Sequence, residues 1–304
     1  MNELLRIHPE VQAALSDGTA VVALESTITT HGLPRPDNLE AARMSESAVR
    51  EAGAVPATIA VNDGRLLVGL TDEELVELAD VRDIPKVSRQ NLAGVLAGPG
   101  WGGTTVAGTM IAAQLAGIRV FATGGIGGVH RGGESSMDIS ADLEELGRTP
   151  VTVVCAGPKS ILDVGRTLEA LETRGVPVVA YGSDEVAGFY SRSSGHHAPL
   201  RVDTPEAAAS LIDTQRALGL SGGVLVTQPL PPDIALPEDE VGAAVEQAEA
   251  EAHEAGVHGP ASTPFVLARV AELTEGRSVV ANLEIIRRDA LLAGRIAVAL
   301  AGRG

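Results

Sequence analysis

Aromatic side chains are scarce in this 304-residue chain: Trp101, Phe121, Tyr181, Phe189, Tyr190 and Phe265 are all it has. So few rings exclude the stacking platforms of single-strand nucleic-acid binders and leave an aliphatic core. Cysteine occurs once, as Cys155, which excludes an internal disulfide, fits a reducing compartment and reads as a space-filler in a strand. Positive charge is also short, with 23 Lys plus Arg against 40 Asp plus Glu and a formal net charge of −17. A surface of that sign repels phosphate-rich polymers and anionic membranes, so neither nucleic acid nor membrane is expected as a partner. The opening stretch, Met1-Asn-Glu-Leu-Leu-Arg-Ile-His-Pro, has no charged segment followed by a long apolar one, and a soluble, cytoplasmic protein is expected.

Lysine is the rarest basic residue. Of the 23 basic side chains only Lys86 and Lys159 are lysines. Such a bias exchanges lysine for arginine wherever a solvated positive charge suffices. The exchange fails where an amine is needed, because arginine cannot be deprotonated in a protein whereas a desolvated lysine can lose its proton and attack carbon. Both lysines are therefore candidate active-site residues, against the plainer reading that they survive at neutral positions.

Apolar runs alternate with amphipathic stretches, the α/β pattern. Strands are expected at Ala20–Leu24, Thr58–Val61, Leu66–Gly69, Val120–Thr123, Val151–Cys155, Val178–Tyr181 and Val224–Thr227, valine-rich and apolar on both faces as buried parallel strands are. Helix starts are legible at Thr71 with Glu74, a capping box, and at Thr204-Pro205 and Thr263-Pro264, each a cap before a first-turn proline. A helix Pro158–Thr173 is expected directly after the Cys155 strand. Beyond Gly222 helix dominates: an acidic helix with a solvated face over about Glu238–Ala255, then two more. No repeat or separating linker interrupts residues 1–304, so one domain is expected. Its fold is read as three-layer α/β/α with a mainly parallel or mixed central sheet and a helix-rich C-terminal part, the tail being either a subdomain or a layer on the sheet.

Four segments carry polar residues out of keeping with their surroundings. Glu25 ends a buried strand, where α/β proteins place ligands; burial would raise its pKa and make it an acid near neutrality, or it caps the next turn. Lys86-Val-Ser88-Arg89 concentrates donors suited to a small phosphate or carboxylate, or is a surface turn, and Trp101-Gly-Gly-Thr104-Thr105-Val106 reads as a small-residue turn opening a helix with anion-binding amides. Thr123-Gly124-Gly125-Ile-Gly127-Gly128-Val-His130 follows a strand, but His130 stands where a dinucleotide fingerprint needs its third glycine. Asp138 and Asp142, one helical turn apart, would hold a hard divalent cation with several waters, or cap a helix. Lys159, in Cys155-Ala-Gly157-Pro158-Lys159-Ser160, falls in the first turn of the expected helix, where the dipole favours the neutral amine. Tyr181-Gly-Ser-Asp184-Glu185 with Phe189-Tyr190-Ser-Arg192-Ser-Ser-Gly195 gathers three of the six aromatics after a strand and reads as a mobile or lid-like loop, or as ordinary packing.

Together these segments resemble the pseudouridine-5′-phosphate glycosidases, or indigoidine synthase A family. The resemblance rests on Ala23-Leu-Glu25-Ser-Thr, Lys86-Val-Ser-Arg, Thr123-Gly-Gly-Ile-Gly-Gly-Val-His130-Arg, Asp138-Ile-Ser-Ala-Asp142-Leu, Cys155-Ala-Gly-x-Lys159, Phe189-Tyr-Ser-Arg-Ser-Ser-Gly, Thr263-Pro-Phe and Asn282, in family order from about residue 15 onward. It implies a cytoplasmic homotrimer with one Mn2+ per subunit that reversibly cleaves pseudouridine 5′-phosphate to uracil and ribose 5-phosphate. Carried over by position, it makes Lys159 the nucleophile, Glu25 the proton donor and Asp138 the metal-site residue. Lys86, the backbone at Val106, Ser140, Ala141 and Asp142 become substrate contacts, with Asn282 for the uracil edge and His130 near the sugar. At Gly259-Pro260 the family more often has Gly-Lys, so a contact through that lysine is not carried over. A Schiff-base aldolase or lyase for another phosphosugar, and a non-catalytic sugar-phosphate binder, are the competing readings.

Overall fold

The computed structural model describes residues 3–33, 35–257 and 262–303, so Gly259-Pro260 lies outside the described residues. Its main sheet has eleven strands. Nine follow one another across it in the order Leu5–Ile7, Arg65–Val68, Val55–Asn62, Val21–Leu24, Val120–Ala122, Thr152–Cys155, Leu225–Thr227, Val178–Tyr181 and Leu200–Val202. Trp101–Thr104 also pairs with Val55–Asn62 and carries Lys86–Val87 on its far side. Each expected strand is present, within three residues of its expected ends.

The sheet is mixed. Val55–Asn62 runs antiparallel to Arg65–Val68 and to Trp101–Thr104, while the other main-sheet pairings are parallel. The antiparallel hairpin has a local cause: Asp63 and Gly64 both take positive φ, 43° and 77°, the geometry of the tight turn whose twist matches paired strands. Asp-Gly between apolar runs is a sequence signal for it.

Burial on both faces makes the three layers. Val21, Ala23, Phe121 and Val153 point into one core together with Met110 of the helix Val106–Ala116. Their neighbours Val22, Leu24, Val120 and Val154 point into the other, against Ala290, Ala293 and Ile296 of the helix Arg277–Ala301. The alternation is the two-residue period of a strand buried on both sides. The long C-terminal helix is thus a layer on the sheet, which decides between the alternatives left open for the tail. Helices Glu238–Glu254 and Ser262–Leu273 pack beside it around Phe189, Tyr190 and Ile161, so the acidic helix has an apolar inner face (Val241, Val245, Ala248) behind its charged outer one. Among the described residues no helix is long and apolar enough to cross a membrane.

The caps at Thr71 with Glu74 and at Thr204 form as expected. Thr263 and Pro264 lie inside the first turn of Ser262–Leu273, so this threonine is not the residue that precedes the helix. The helix expected at Pro158–Thr173 begins only at Val164, capped by Asp163. Pro158 is held instead in a bridge with Ile126, and Leu162–Asp163 pairs with Val129–His130, so the chain turns before it coils.

Candidate active site

Val21–Leu24, Val120–Ala122 and Thr152–Cys155 are adjacent and parallel, so their carboxyl ends open side by side at one edge of the sheet. That edge is where α/β folds place ligands. Glu25 follows the first strand, Thr123 the second, and Lys159 stands four residues beyond the third. All three line one cavity of about 380 Å3, as do Lys86, Val106, His130, Asp138, Ser140, Ala141, Asp142 and Asn282. Every residue to which the family resemblance gives a site role, including both lysines, therefore lines a single space.

Glu25 is 8% exposed, and its two carboxylate oxygens accept from the hydroxyls of Thr27 and Thr123. Burial pushes its carboxyl above the usual range; the nearby Lys159 ammonium and the two hydroxyls pull the other way. The result is a carboxyl that retains its proton better than a solvated one. Lys159 reaches this point from a turn, not from a helix. Its N–H donates to the Ile126 carbonyl at 3.1 Å and its carbonyl accepts from Leu162 at 3.0 Å, while Gly157 takes φ +93°, a backbone shape favoured by glycine. The helix-dipole argument for Lys159 therefore does not hold, and its neighbours are Glu25 and Lys86. Lys86 is half-buried; burial first, and Lys159 second, hold its ammonium below the usual lysine range.

The wall beside Lys86 is built by buried polar contacts. Trp101–Thr104 is a strand rather than a turn, and Thr105 caps the helix that follows, accepting from Gly108 N–H at 3.2 Å. Asp142 is buried and spends both oxygens on backbone, accepting from Ala107 N–H at 3.0 Å and Gly127 N–H at 2.8 Å. It locks the glycine-rich loop onto the helix start and is not half of a carboxylate pair. Gly127 is required here, since a Cβ would collide with the Ser140 hydroxyl. Ser140 itself caps Ala141–Leu146, a place the sequence offered also to Asp138. Arg89 leaves the anion cluster it was read into: its guanidinium forms two bonds, 2.6 and 2.7 Å, with the fully buried Glu145 carboxylate. Arg89→Ala should accordingly lower stability by about 2 kcal/mol, discounted for the half-exposed arginine, because it strands a buried charge. Thermal melts and binding assays together check this, the expected result being a lower Tm with unchanged substrate affinity.

At the opposite end Asn282, on the long helix, lies against Gly124, and the Phe189 ring lies against Gly125. Phe189 is 2% exposed, donates its N–H to Ala156 at 3.0 Å and meets Tyr190 edge-on with centroids 4.6 Å apart. This segment is a packed wall, which corrects its reading as a lid. His31 also lines the cavity, a residue of the same segment as Glu25 to which the sequence gave no role.

Among the described residues no group of three His, Cys, Asp or Glu side chains converges on a metal position. Asp138 is exposed at the cavity rim. A single accessible carboxylate suits a hard cation that keeps most of its water, and does not suit an all-protein cage.

Known proteins resemble the chain throughout its length. The family described as indigoidine synthase A-like protein matches residues 10–299. A protein of Methylobacterium nodulans named pseudouridine-5′-phosphate glycosidase is 55% identical over 299 residues, 98% of this chain and 89% of the relative. One of the same name from Paracoccus denitrificans is 55% identical over 303 residues, 99% of this chain and 100% of the relative. Among solved structures, the prealnumycin C-glycosynthase AlnA in complex with ribulose 5-phosphate superposes with a TM-score of 0.92 at 40% identity, covering 100% of this chain and 99% of its own. An indigoidine synthase A-like protein of Thermotoga maritima does so with a TM-score of 0.89 at 34% identity, covering 98% and 97%. The carboxyl-edge cavity with its two lysines is thus that of a member of the indigoidine synthase A-like family, to which this chain belongs.

Proposed function

We propose that the chain cleaves the carbon–carbon glycosidic bond of pseudouridine 5′-phosphate, reversibly, to uracil and ribose 5-phosphate. The observation that carries this is the Lys159 amine beside the buried, proton-retaining Glu25 in one cavity with Lys86. The names of relatives 55% identical to the chain support the same substrate.

The chemistry accounts for the residues. Uracil is joined to ribose through carbon, so its direct departure would leave a carbanion, which the carboxylate pair of ordinary glycosidases does not resolve. In the proposed path the bond from C1′ to the ring oxygen breaks as the Lys159 amine adds at C1′, and the oxygen takes the proton that the amine sheds. The bond from C1′ to the base then breaks; its electrons go to the base carbon, which takes the proton of Glu25, while the nitrogen lone pair forms an imine. Water hydrolyses the imine, returning the amine and releasing ribose 5-phosphate. Lys86 is the cation that meets the substrate's phosphate, and Asn282 offers its amide to the uracil edge. Asp138 is the residue that would hold a manganese ion, which would supply positive charge for orienting oxygens or stabilising oxyanions. A homotrimer working in the cytoplasm belongs to the same reading.

Borohydride trapping with ribose 5-phosphate, followed by mass measurement, tests the proposal. The expected result is one adduct on Lys159, and with uracil present, condensation to pseudouridine 5′-phosphate. An adduct without condensation points to an aldolase or lyase, and no adduct to a binding protein.

Lys86→Arg should raise KM while leaving kcat within about tenfold of the parent, since another cation partly replaces an anion contact; steady-state kinetics decide. Asp138→Asn should leave the Tm nearly unchanged, an exposed substitution being worth at most about 0.5 kcal/mol. The same variant should weaken Mn2+ binding at least tenfold by calorimetric titration, a figure on the order of what loss of one carboxylate ligand gives.

A further inference from the structure

The turn after Glu25 holds a histidine with both ring nitrogens engaged. Ile28–Gly32 is a π-helical turn, and His31 within it lines the cavity. Its Nε2 lies 3.1 Å from the Ile84 carbonyl oxygen and its Nδ1 2.7 Å from the Thr30 hydroxyl. A carbonyl only accepts, so Nε2 carries a proton and donates it. The Thr30 hydroxyl has one proton and a second neighbour, the Ser26 carbonyl at 3.0 Å. That carbonyl already accepts from the backbone N–H groups of Thr29 at 3.1 Å and Thr30 at 3.0 Å. The hydroxyl proton is therefore best placed on Nδ1, and the ring is the neutral Nε2–H tautomer. Burial, with the Lys86 ammonium second, holds the imidazole below its usual range, in agreement.

The segment gripped by this ring is short. Lys86–Val87 is a two-residue strand whose partner is Trp101–Thr104, with Lys86 opposite Gly103. The Ile84 carbonyl precedes Lys86 by two residues, and Thr30 packs directly on Gly103, where a Cβ would collide with its hydroxyl. Thr30 and His31 thus touch both sides of the pairing that carries Lys86. The same turn begins three residues after Glu25, so it connects the acid to the cation.

We propose that His31 is a positioning residue that, through the Ile84 carbonyl, fixes the Lys86 ammonium in the cavity beside Lys159. The proposal deepens the functional reading above and rests on it for the importance of Lys86, but its first test is independent of turnover. Because the chain has only two lysines, reductive methylation with 13C-formaldehyde labels Lys86, Lys159 and the α-amine, and Lys86→Arg identifies the Lys86 resonance. In the parent, that resonance should titrate below the ordinary lysine range. His31→Leu should move its midpoint upward by about 0.5 pH unit or more, as a lysine released toward solvent does. His31→Gln, which keeps an N–H donor for Ile84, should move it less. Should His31→Leu fail to fold, Thr30→Val, which keeps the packing on Gly103 but deprives Nδ1 of its proton donor, should shift Lys86 in the same direction. An unchanged Lys86 titration in a folded variant lacking either contact overturns the proposal.

Kinetics give the second arm: His31→Leu should raise KM about tenfold with kcat within about threefold. In a Lys86→Ala background it should add nothing further, because an effect exerted through Lys86 cannot outlast it. Full additivity, or loss of kcat at unchanged KM, overturns the positioning role. If the parent shows no cleavage, the functional reading fails, while the lysine titration still decides the role of His31.

Discussion

Lys159→Arg is expected to abolish turnover, by at least about 10^4-fold, with no change in fold, because a guanidinium keeps its charge and cannot become a neutral nucleophile. The position tolerates the size: Lys159 is half-buried in a turn held by backbone bonds to Ile126 and Leu162, and its side chain projects into open cavity. The variant should still bind ribose 5-phosphate, since Lys86 is untouched, and should give no borohydride adduct. Activity within about tenfold of the parent would exclude an imine on Lys159, leaving Lys86 as the other side-chain amine of this cavity.

Glu25→Gln carries the other large effect. Loss of a positioned general acid costs roughly 10^2- to 10^4-fold, and here the amide preserves the contacts to Thr27 and Thr123 in shape while removing the proton. The parent's cleavage should fall as pH rises through the raised Glu25 value, and that limb should vanish in the variant. Stability should fall over the same window, for a different reason. Because folding raises this carboxyl, the folded state holds the proton more tightly than the unfolded chain does. The stability contributed is complete below the unfolded carboxyl's ordinary value and is lost as pH climbs past the raised one. Glu25→Gln should therefore melt higher than the parent on the alkaline side of that window and show no such dependence itself. Melts across pH, read beside rate profiles, separate the two effects; a parent whose Tm is flat through the window would mean that Glu25 is already ionised on folding.

The central strands were legible because a valine run buried on both faces has few other readings, as Val151–Cys155 shows. The two-residue strands were not: Lys86–Val87 and Leu162–Asp163 exist because of partners elsewhere, Trp101–Thr104 and Val129–His130. Pro158 misled for a physical reason, since a proline after glycine suits a first helical turn and a bend equally, and only its bridge to Ile126 selects the bend. Lys86 and Lys159 stood out by rarity, before any contact was known. Thr123 and His31 did not, because their roles depend on Glu25, 98 residues away, and on Ile84, 53 residues away. Arg89 was misplaced by the same distance problem: nothing beside it in the chain announces Glu145.

The helix Arg277–Ala301 covers the sheet face formed by Val22, Val120, Val154 and Val226. It is also the last of the described helices to leave the ribosome. At elongation rates of roughly 5–20 residues per second, the strands wait some seconds with that valine face bare to water. During that interval the nascent chain is a client for chaperones that shield apolar surface. A product broken off before residue 277 keeps both lysines and Glu25, yet lacks Asn282 and the cover over its sheet, so translational failure yields a substrate for proteases and not a weakened enzyme.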